Sequence, residues 1–238
     1  MSTRNAEFVL SNLRPGGRLR RAWRAGRATD EVFLDDYAAL ILGLIELYQT
    51  DFNPRWFAAA LELADEMIAR FEDEAGGFFD TPAGGESLPV RPKQVEDNAT
   101  PSGNSLAAEA LLKLAAFTDR GDLRDRAEKA LRLPVEYAAR YPTAFARWLA
   151  SAQFALAQVK QVALVGEADK TRPLVDVVRE RHRPALVAAC GRVPLDPESP
   201  ALLRDRPLVN GGATAYVCEG FVCQRPVTTA EELRQLLK

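Results

Sequence analysis

The sequence predicts a mainly helical protein: part of an α/α toroid of helical hairpins over residues 1–158, then a small α/β unit over 159–238. Three observations predict it. Apolar residues recur at helical spacing through the first two-thirds of the chain. A pair of helices, one apolar nearly all round and one amphipathic, is repeated. Near residue 159 the period changes to short β-branched runs separated by a helix.

Residues 6–13, AEFVLSNL, read as the tail of an amphipathic helix. DDYAALILGLIELYQT (35–50) is apolar on nearly every side, as expected of a helix with neighbours all round. PRWFAAALELADEMIARF (54–71) opens with a first-turn Pro and is one-sided, with Trp56, Ala60, Leu63, Ala64, Met67 and Phe71 at helical spacing. Gly76-Gly77 ends that unit and FFDT follows as a short extended piece. The pattern then returns as GNSLAAEALLKLAAFTDR (103–120) and its polar partner DLRDRAEKALRLPVEYAARY (122–141). In this repeat Asp36 falls on Asn104, Leu44 on Leu112 and Thr50 on Thr118. TAFARWLASAQFALAQ (143–158) is a third helix of the buried type. Alternating buried and half-exposed helices point to a curved αα repeat. Three inner and two outer helices are too few to close a ring, so the chain is expected to be one arc of a larger barrel or to complete itself by association.

QVALVG (161–166), TRPLVDVVRERH (171–182) and ALVAACG (185–191) form a βαβ pattern with a parallel pair. TAYVCEGFVCQ (214–224) alternates like a hairpin with Glu219-Gly220 at its turn. TTAEELRQLLK ends the chain as a helix with a capping box, Thr229 answered by Glu232.

Composition excludes several classes of function. With 31 Lys+Arg against 33 Asp+Glu the formal charge is −2, too balanced to draw in nucleic acid or an anionic membrane. The basic stretch 18–27 reads as a solvated extended segment. No apolar run approaches the ~20 residues of a membrane span, and the N-terminus lacks the apolar stretch of a secretion signal. The expected location is cytoplasmic. One histidine, His182, makes His-based metal sites and paired-His catalysis unexpected, and its place near a helix C-terminus suits a dipole partner. No P-loop, dinucleotide-binding glycine motif, nucleophile elbow or zincin motif occurs, so no cofactor and no metal are expected. Of the three cysteines, Cys218 and Cys223 are spaced as C-x4-C across the presumed turn. A reversible disulfide, half of a metal site, and two small apolar strand residues are all open readings.

Inner helices of an αα ring all run one way, so their N-termini gather on one rim and favour polar or anionic ligands there. The segments feeding that rim are polar. Before the first inner helix stand Asp35, Asp36 and Tyr37; before the second stand Arg91, Lys93, Glu96, Asp97, Asn98, Ser102, Asn104 and Ser105. If the two segments face one cleft, Asp36 and Asp97 are the candidate catalytic carboxylates. Asp35, Tyr37, Arg91, Lys93, Asn98, Ser102, Asn104 and Ser105 are then candidate ligand-binding groups. Trp23, Phe33 or Phe79 could stack on a sugar. Paired carboxylates across a cleft are what glycoside hydrolysis uses. The competing reading is that Asp35, Ser102 and Asn104 are helix caps.

Six blocks carry a resemblance to a known family: GRLRRAWRAGRA, FLDDYAALILGLIELY, GGFFDT, VRPK, DNATPSGNS and AYVCEGFVCQRPVTTAEEL, in that order. Across essentially all 238 residues the chain resembles the C-terminal part of the spermatogenesis-associated, thioredoxin-domain-containing protein family. The resemblance implies a six-hairpin α/α barrel of the kind shared with N-acylglucosamine 2-epimerases and related glycosidases. In that family a thioredoxin-like domain precedes the barrel; that domain and the first half of the barrel have no counterpart in this sequence. Related epimerases use histidines as acid–base groups, and the helical part here has none, so epimerisation by this chain alone is not expected. Two functions are therefore expected as rivals. One is carbohydrate processing or sugar-like ligand binding at the rim. The other is a non-catalytic helical scaffold that binds a protein partner or a second copy of itself.

Overall fold

Residues 2–85 and 90–238 are described by the structure, a computed structural model. The helical part begins with α1 (Ser2–Asn12), which buries no residue completely, and a small hairpin, β1 (Trp23–Arg24) with β2 (Arg27–Ala28). Then come α2 (Leu34–Asp51) and α3 (Pro54–Phe71), α4 (Gly103–Thr118) and α5 (Gly121–Leu131), α6 (Val135–Arg140) and α7 (Ala146–Leu156). In α2 the buried residues, Leu34, Tyr37, Ala38, Ile41, Leu44, Ile45 and Tyr48 among them, cover most of the surface and leave one exposed stripe, Asp35, Ala39, Gly43, Glu46 and Thr50. α3 buries one stripe, Trp56, Ala60, Leu63, Ala64, Met67 and Phe71, and leaves its acids outside. Their hairpin is tight because Phe52 takes the left-handed conformation (φ 56°) after α2 and Asn53 caps α3 by accepting from Arg55 N.

α4 repeats α2 and runs beside it in the same direction. Their N-termini touch: a Cβ on Gly103 would lie 3.0 Å from Leu34 Cγ and 3.1 Å from Asp35 N. Further along, Lys113 Nζ pairs with Glu46 at 2.7 Å, and the Tyr48 and Phe117 rings stand 5.7 Å apart. A glycine at 103 is what permits the close approach of the two helix starts.

Two details depart from the sequence expectation. The polar partner of α4 is not one helix over 122–141; it breaks after Leu131, and α6 starts at Val135 behind Pro134, which cannot continue the backbone ladder. The third inner helix is buried on one side only. α7 encloses Trp148, Ser151 and Phe154 but leaves Leu149 and Leu156 exposed, since α4 and α5 cover a single face of it.

The C-terminal part is a four-stranded sheet in the order β4-β3-β5-β6, with α8 and α9 on one face. β3 (Lys160–Val165), α8 (Ala168–Arg179) and β4 (Leu186–Gly191) make the expected βαβ unit, β3 pairing parallel to β4 from Lys160↔Leu186 to Val165↔Gly191. β5 (Thr214–Glu219) runs antiparallel to β3, and β6 (Val222–Cys223) folds back on β5. The turn of that hairpin sits at Gly220-Phe221, one residue later than expected, with both φ positive (55° and 63°) as a two-residue primed turn demands. α9 (Ala230–Leu236) closes the chain, its Thr229 cap receiving Glu232 N.

Strand alternation divides the sheet between two layers. Ala163, Val165, Val187, Ala189, Tyr216 and Cys218 join the core of α2, α3 and α4, whereas Val162, Leu164, Ala188, Ala215 and Val217 pack under α8 and α9. One face of the sheet thus shares the core of the helical part, while the other encloses a second core under α8 and α9. Gln161 ties the sheet to the helical part further, donating to Ala116 O (2.7 Å) and accepting from Phe221 N (2.7 Å). No helix among the described residues is long and apolar enough to cross a membrane.

Candidate functional site

Because α2 and α4 start side by side, the segments that feed them do meet at one rim. A cavity of about 290 Å³ opens there, lined by Arg21, Phe33, Asp35, Asp80, Gln94 and Thr100 together with the start of α4, Ser102-Gly103. Each wall has a local cause. Phe79 N donates to Phe71 O and Leu34 N to Asp80 O, so the FFDT strand is clamped between the end of α3 and the start of α2. That clamp carries the Asp80 side chain to the cavity, where one oxygen accepts from Gln94 N at 2.9 Å. Burial raises the Asp80 carboxyl above its ordinary value of 3.8, the Gln94 bond opposes this, and the negative charge of Asp35 adds to the rise.

Asp35 lies across the cavity with its side chain half exposed, 3.5 Å from the Arg21 guanidinium. Asp36 faces the other side of Arg21, at 3.2 Å, and accepts from Phe33 N at 2.9 Å as the reciprocal half of a capping box. Burial raises the Asp36 carboxyl, against the Phe33 bond and with help from Asp35. The Arg21 guanidinium also covers the Phe33 ring, 4.8 Å from its centroid.

Of the remaining residues anticipated from the sequence, Ser102 stands at the cavity wall as a helix cap and the others lie outside its lining. Asp97 engages both carboxylate oxygens: one accepts from Ser102 N and Ser105 Oγ (2.9 and 2.8 Å), the other from Arg147 N (2.9 Å). It holds the N-termini of α4 and α7 together and is not free for proton transfer; a catalytic role for Asp97 is set aside on that geometry. Ser102 is the cap of α4, accepting from Ser105 N, and Ser105 is buried. Asn104 is fully buried; its oxygen accepts from Phe78 N (2.7 Å) and its amide donates to Phe78 O and Gln94 O (2.8 and 3.0 Å). Gly77, held at φ 69°, packs against that same side chain. Asn98 is an exposed turn residue whose N–H donates to Thr100 O.

Arg91 lies over one face of the Phe79 ring at 4.0 Å and donates to Arg70 O and Thr81 O, and neither residue lines the cavity. Lys93 bonds Gly76 O and pairs with Asp73, whose carboxyl it holds below the usual range. Tyr37 points into the core: its hydroxyl donates to Glu66 at 2.5 Å and accepts from Arg70 at 2.7 Å, and burial with the Glu66 charge pushes it up to about 12. Trp23 packs edge-on against Phe8 rather than over the cavity. Asp35, with Asp36 beside it, therefore lines the rim as the sequence pattern suggests, whereas Asp80, Arg21, Gln94 and Thr100 were not singled out. Nothing local in FFDT marks Asp80; only the clamp between α2 and α3 brings it in.

In the tail, Cys218 and Cys223 are directly opposed in the β5–β6 ladder and joined by a disulfide, while Cys190 is free and partly buried. The bond selects the disulfide from the three open readings. His182 is exposed and lies beyond the end of α8 at Arg179. Among the described residues, no group of three or more His, Cys, Asp or Glu is placed to hold a metal ion.

No family model matches the chain. Curated relatives do. Human spermatogenesis-associated protein 20 is 36% identical over 217 residues, covering 86% of this chain and 27% of the human protein. The mouse protein of the same name is 34% identical over 99% of this chain and 32% of its own length. An uncharacterised protein of Caenorhabditis elegans is 28% identical over 97% of this chain and 33% of its own length. The chain spans about a third of the length of these relatives. Across nearly its whole length the chain is thus similar to about a third of each of the spermatogenesis-associated protein 20 sequences.

Proposed function

We propose that the rim cavity binds a neutral, sugar-like ligand, and that its helices are one arc of a larger α/α barrel. If the site is catalytic, Asp80 and Asp35 are its carboxylate pair, in place of the Asp36 and Asp97 pair suggested by sequence spacing. The observation that carries this reading is the asymmetry of the two groups. They share one cavity, one is held half-buried and protonated to a higher pH by its surroundings, and the other is solvated beside an arginine. Environments that separate two carboxyls in this way divide acid and base roles between them. Gln94, Thr100 and the Phe33 ring supply the hydroxyl-binding and stacking partners that a polyol needs.

Three carboxylates at the rim, Asp35, Asp36 and Asp80, disfavour a phosphorylated or acidic sugar. Ligand-observed NMR against mono- and disaccharides tests this. A neutral sugar is expected to bind, its phosphate ester to fail, and Asp80→Asn to lose the signal. Binding that survives both Asp80→Asn and Asp35→Asn, or no binding by any sugar, overturns the reading.

A scaffold role has one observation in its favour. Along α6 and α7, Val135, Tyr137, Tyr141, Leu149 and Leu156 are all exposed, a run of apolar surface suited to a protein neighbour. Sedimentation of the purified chain tests it: a monomer at all concentrations removes the self-associating form of that reading.

A further inference from the structure

The rim holds two cavities rather than one. Beside the polar cavity lies a second of about 470 Å³, and the two share the residues Arg21, Asp35, Thr100 and Pro101 as a common wall. The second differs in character. Its floor and sides are Val9 from α1, Leu13 and Leu19 from the segment after it, Ala39 and Leu40 from α2, and Leu106 from α4. Its polar lining is Arg20, Arg21, Asp35, Asp36 and Thr100, of which Arg21, Asp35 and Thr100 belong to the shared wall. Arg20 is already paired with Asp30 at 2.7 Å.

Separate apolar and polar compartments meeting at one edge fit a ligand whose two ends differ in the same way. We infer that the site takes an amphiphilic glycoside: the neutral sugar in the Asp35–Asp80 cavity, and an apolar aglycone or alkyl chain of several carbons across Arg21 into the Val9–Leu40–Leu106 cavity. This deepens the proposed function and rests on it. The occupant is fixed by continuity, because an apolar group entering from the sugar cavity meets aliphatic side chains immediately past Pro101. A free fatty acid does not fit the same path, since its carboxylate would face Asp35, Asp36 and Asp80. Burying even part of an alkyl chain against such a wall adds affinity with each methylene. A simple sugar leaves the second cavity filled with water.

The test uses matched methyl and octyl β-D-glycosides of glucose, galactose, mannose and N-acetylglucosamine, titrated calorimetrically below the micelle concentration of the octyl members. For the sugar that binds, the octyl glycoside is expected to bind roughly tenfold or more tightly than its methyl partner. In Leu40→Gln and Leu13→Gln that ratio is expected to collapse toward unity, with thermal unfolding recorded to show that each variant is folded. Two variants in different segments, one in α2 and one just past the end of α1, guard against one failing to fold. A methyl glycoside that binds while its octyl partner gains nothing overturns the aglycone site and leaves the sugar site standing. An octyl advantage that persists undiminished in both variants also overturns it, since the chain then binds elsewhere. Failure of every methyl and octyl glycoside overturns the sugar site and this inference together.

Discussion

Two polar segments converge on the same rim and use their polarity in opposite ways. In residues 91–105 the side chains of Arg91, Lys93, Asp97 and Asn104 are engaged by protein, although Gln94 and Thr100 reach the cavity. Asp97 accepts three hydrogen bonds, Asn104 makes three, Arg91 reaches two backbone carbonyls, and Lys93 pairs with Asp73. Around the start of α2 the reverse holds. Asp35 and Asp80 share a cavity, Asp80 has a single backbone donor, and Arg21 bridges toward Asp35 and Asp36 with side chains still facing solvent. The denser cluster in the sequence is the scaffold, and the sparser one is the candidate site. The irregular stretch 91–102 must satisfy its own backbone, and polar side chains packed beside it do so. A binding site needs groups left over.

The largest expected effect breaks this comparison at its scaffold side. Asn104→Ala leaves the Phe78 N–H, Phe78 C=O and Gln94 C=O without partners in a buried place, and is expected to cost about 3 kcal/mol. Chemical denaturation measures it. A cost below about 1 kcal/mol would mean that the loop does not depend on this side chain. Asp97→Ala removes the acceptor for three donors at two helix starts, and a loss of about 2 kcal/mol is expected, with Asp97→Asn milder because one oxygen remains. Ligand affinity measured where the variant is still folded should not change; a selective loss of binding would return Asp97 to the site.

How much of this was legible in the sequence follows from the same division. The register of the two inner helices was legible, because apolar periodicity and the pairing of Asp36 with Asn104 in the repeat both report on the same packed face. The βαβ unit and the Thr229 cap were legible for the same reason: each is a local pattern with one structural solution. The break at Pro134 was visible as a residue but not given its weight. Asp80 was not legible. It lies on an extended segment held by the end of α3, the start of α2, Pro92 and Asn104, all distant in sequence or across an irregular loop. Tyr37 shows the limit from the other side. It adjoins two site carboxylates in sequence, yet the helical rotation of about 100° per residue turns it into the core toward Glu66 and Arg70.

A smaller effect sharpens the site side, and its sign depends on pH. Folding raises the Asp80 carboxyl above 3.8, so the native state holds its proton more tightly than the unfolded chain does. Stability contributed by this group is then greatest below pH 3.8 and declines as pH rises through the raised native value, because the native state binds more protons across that window. Asp80→Asn keeps an acceptor for Gln94 N and removes the charge. It is expected to unfold at a higher temperature than the parent at pH 7 and at the same temperature at pH 3, while losing the sugar signal. Equal stability at both pH values would show that the carboxyl is not held against its ordinary ionisation.

The smallest expected effect on stability is the most discriminating for function. Asp35 is half exposed, and the carboxylate makes one long ion pair with Arg21 besides accepting from the N–H of Asp36 in its own turn. Exposed pairs of this kind contribute little, so Asp35→Asn should change stability by less than about 0.5 kcal/mol. Burial is the main cause that keeps Asp80 protonated to higher pH, and the Asp35 charge adds to it, so this substitution should move the Asp80 carboxyl part of the way back down, a shift readable by carboxyl NMR. If a ligand binds through this pair, its affinity should fall with no accompanying loss of fold. An Asp35→Asn protein that binds as before, with the Asp80 titration unmoved, would mean that the two carboxyls share a cavity without acting on each other, and the acid–base assignment would lose its physical basis.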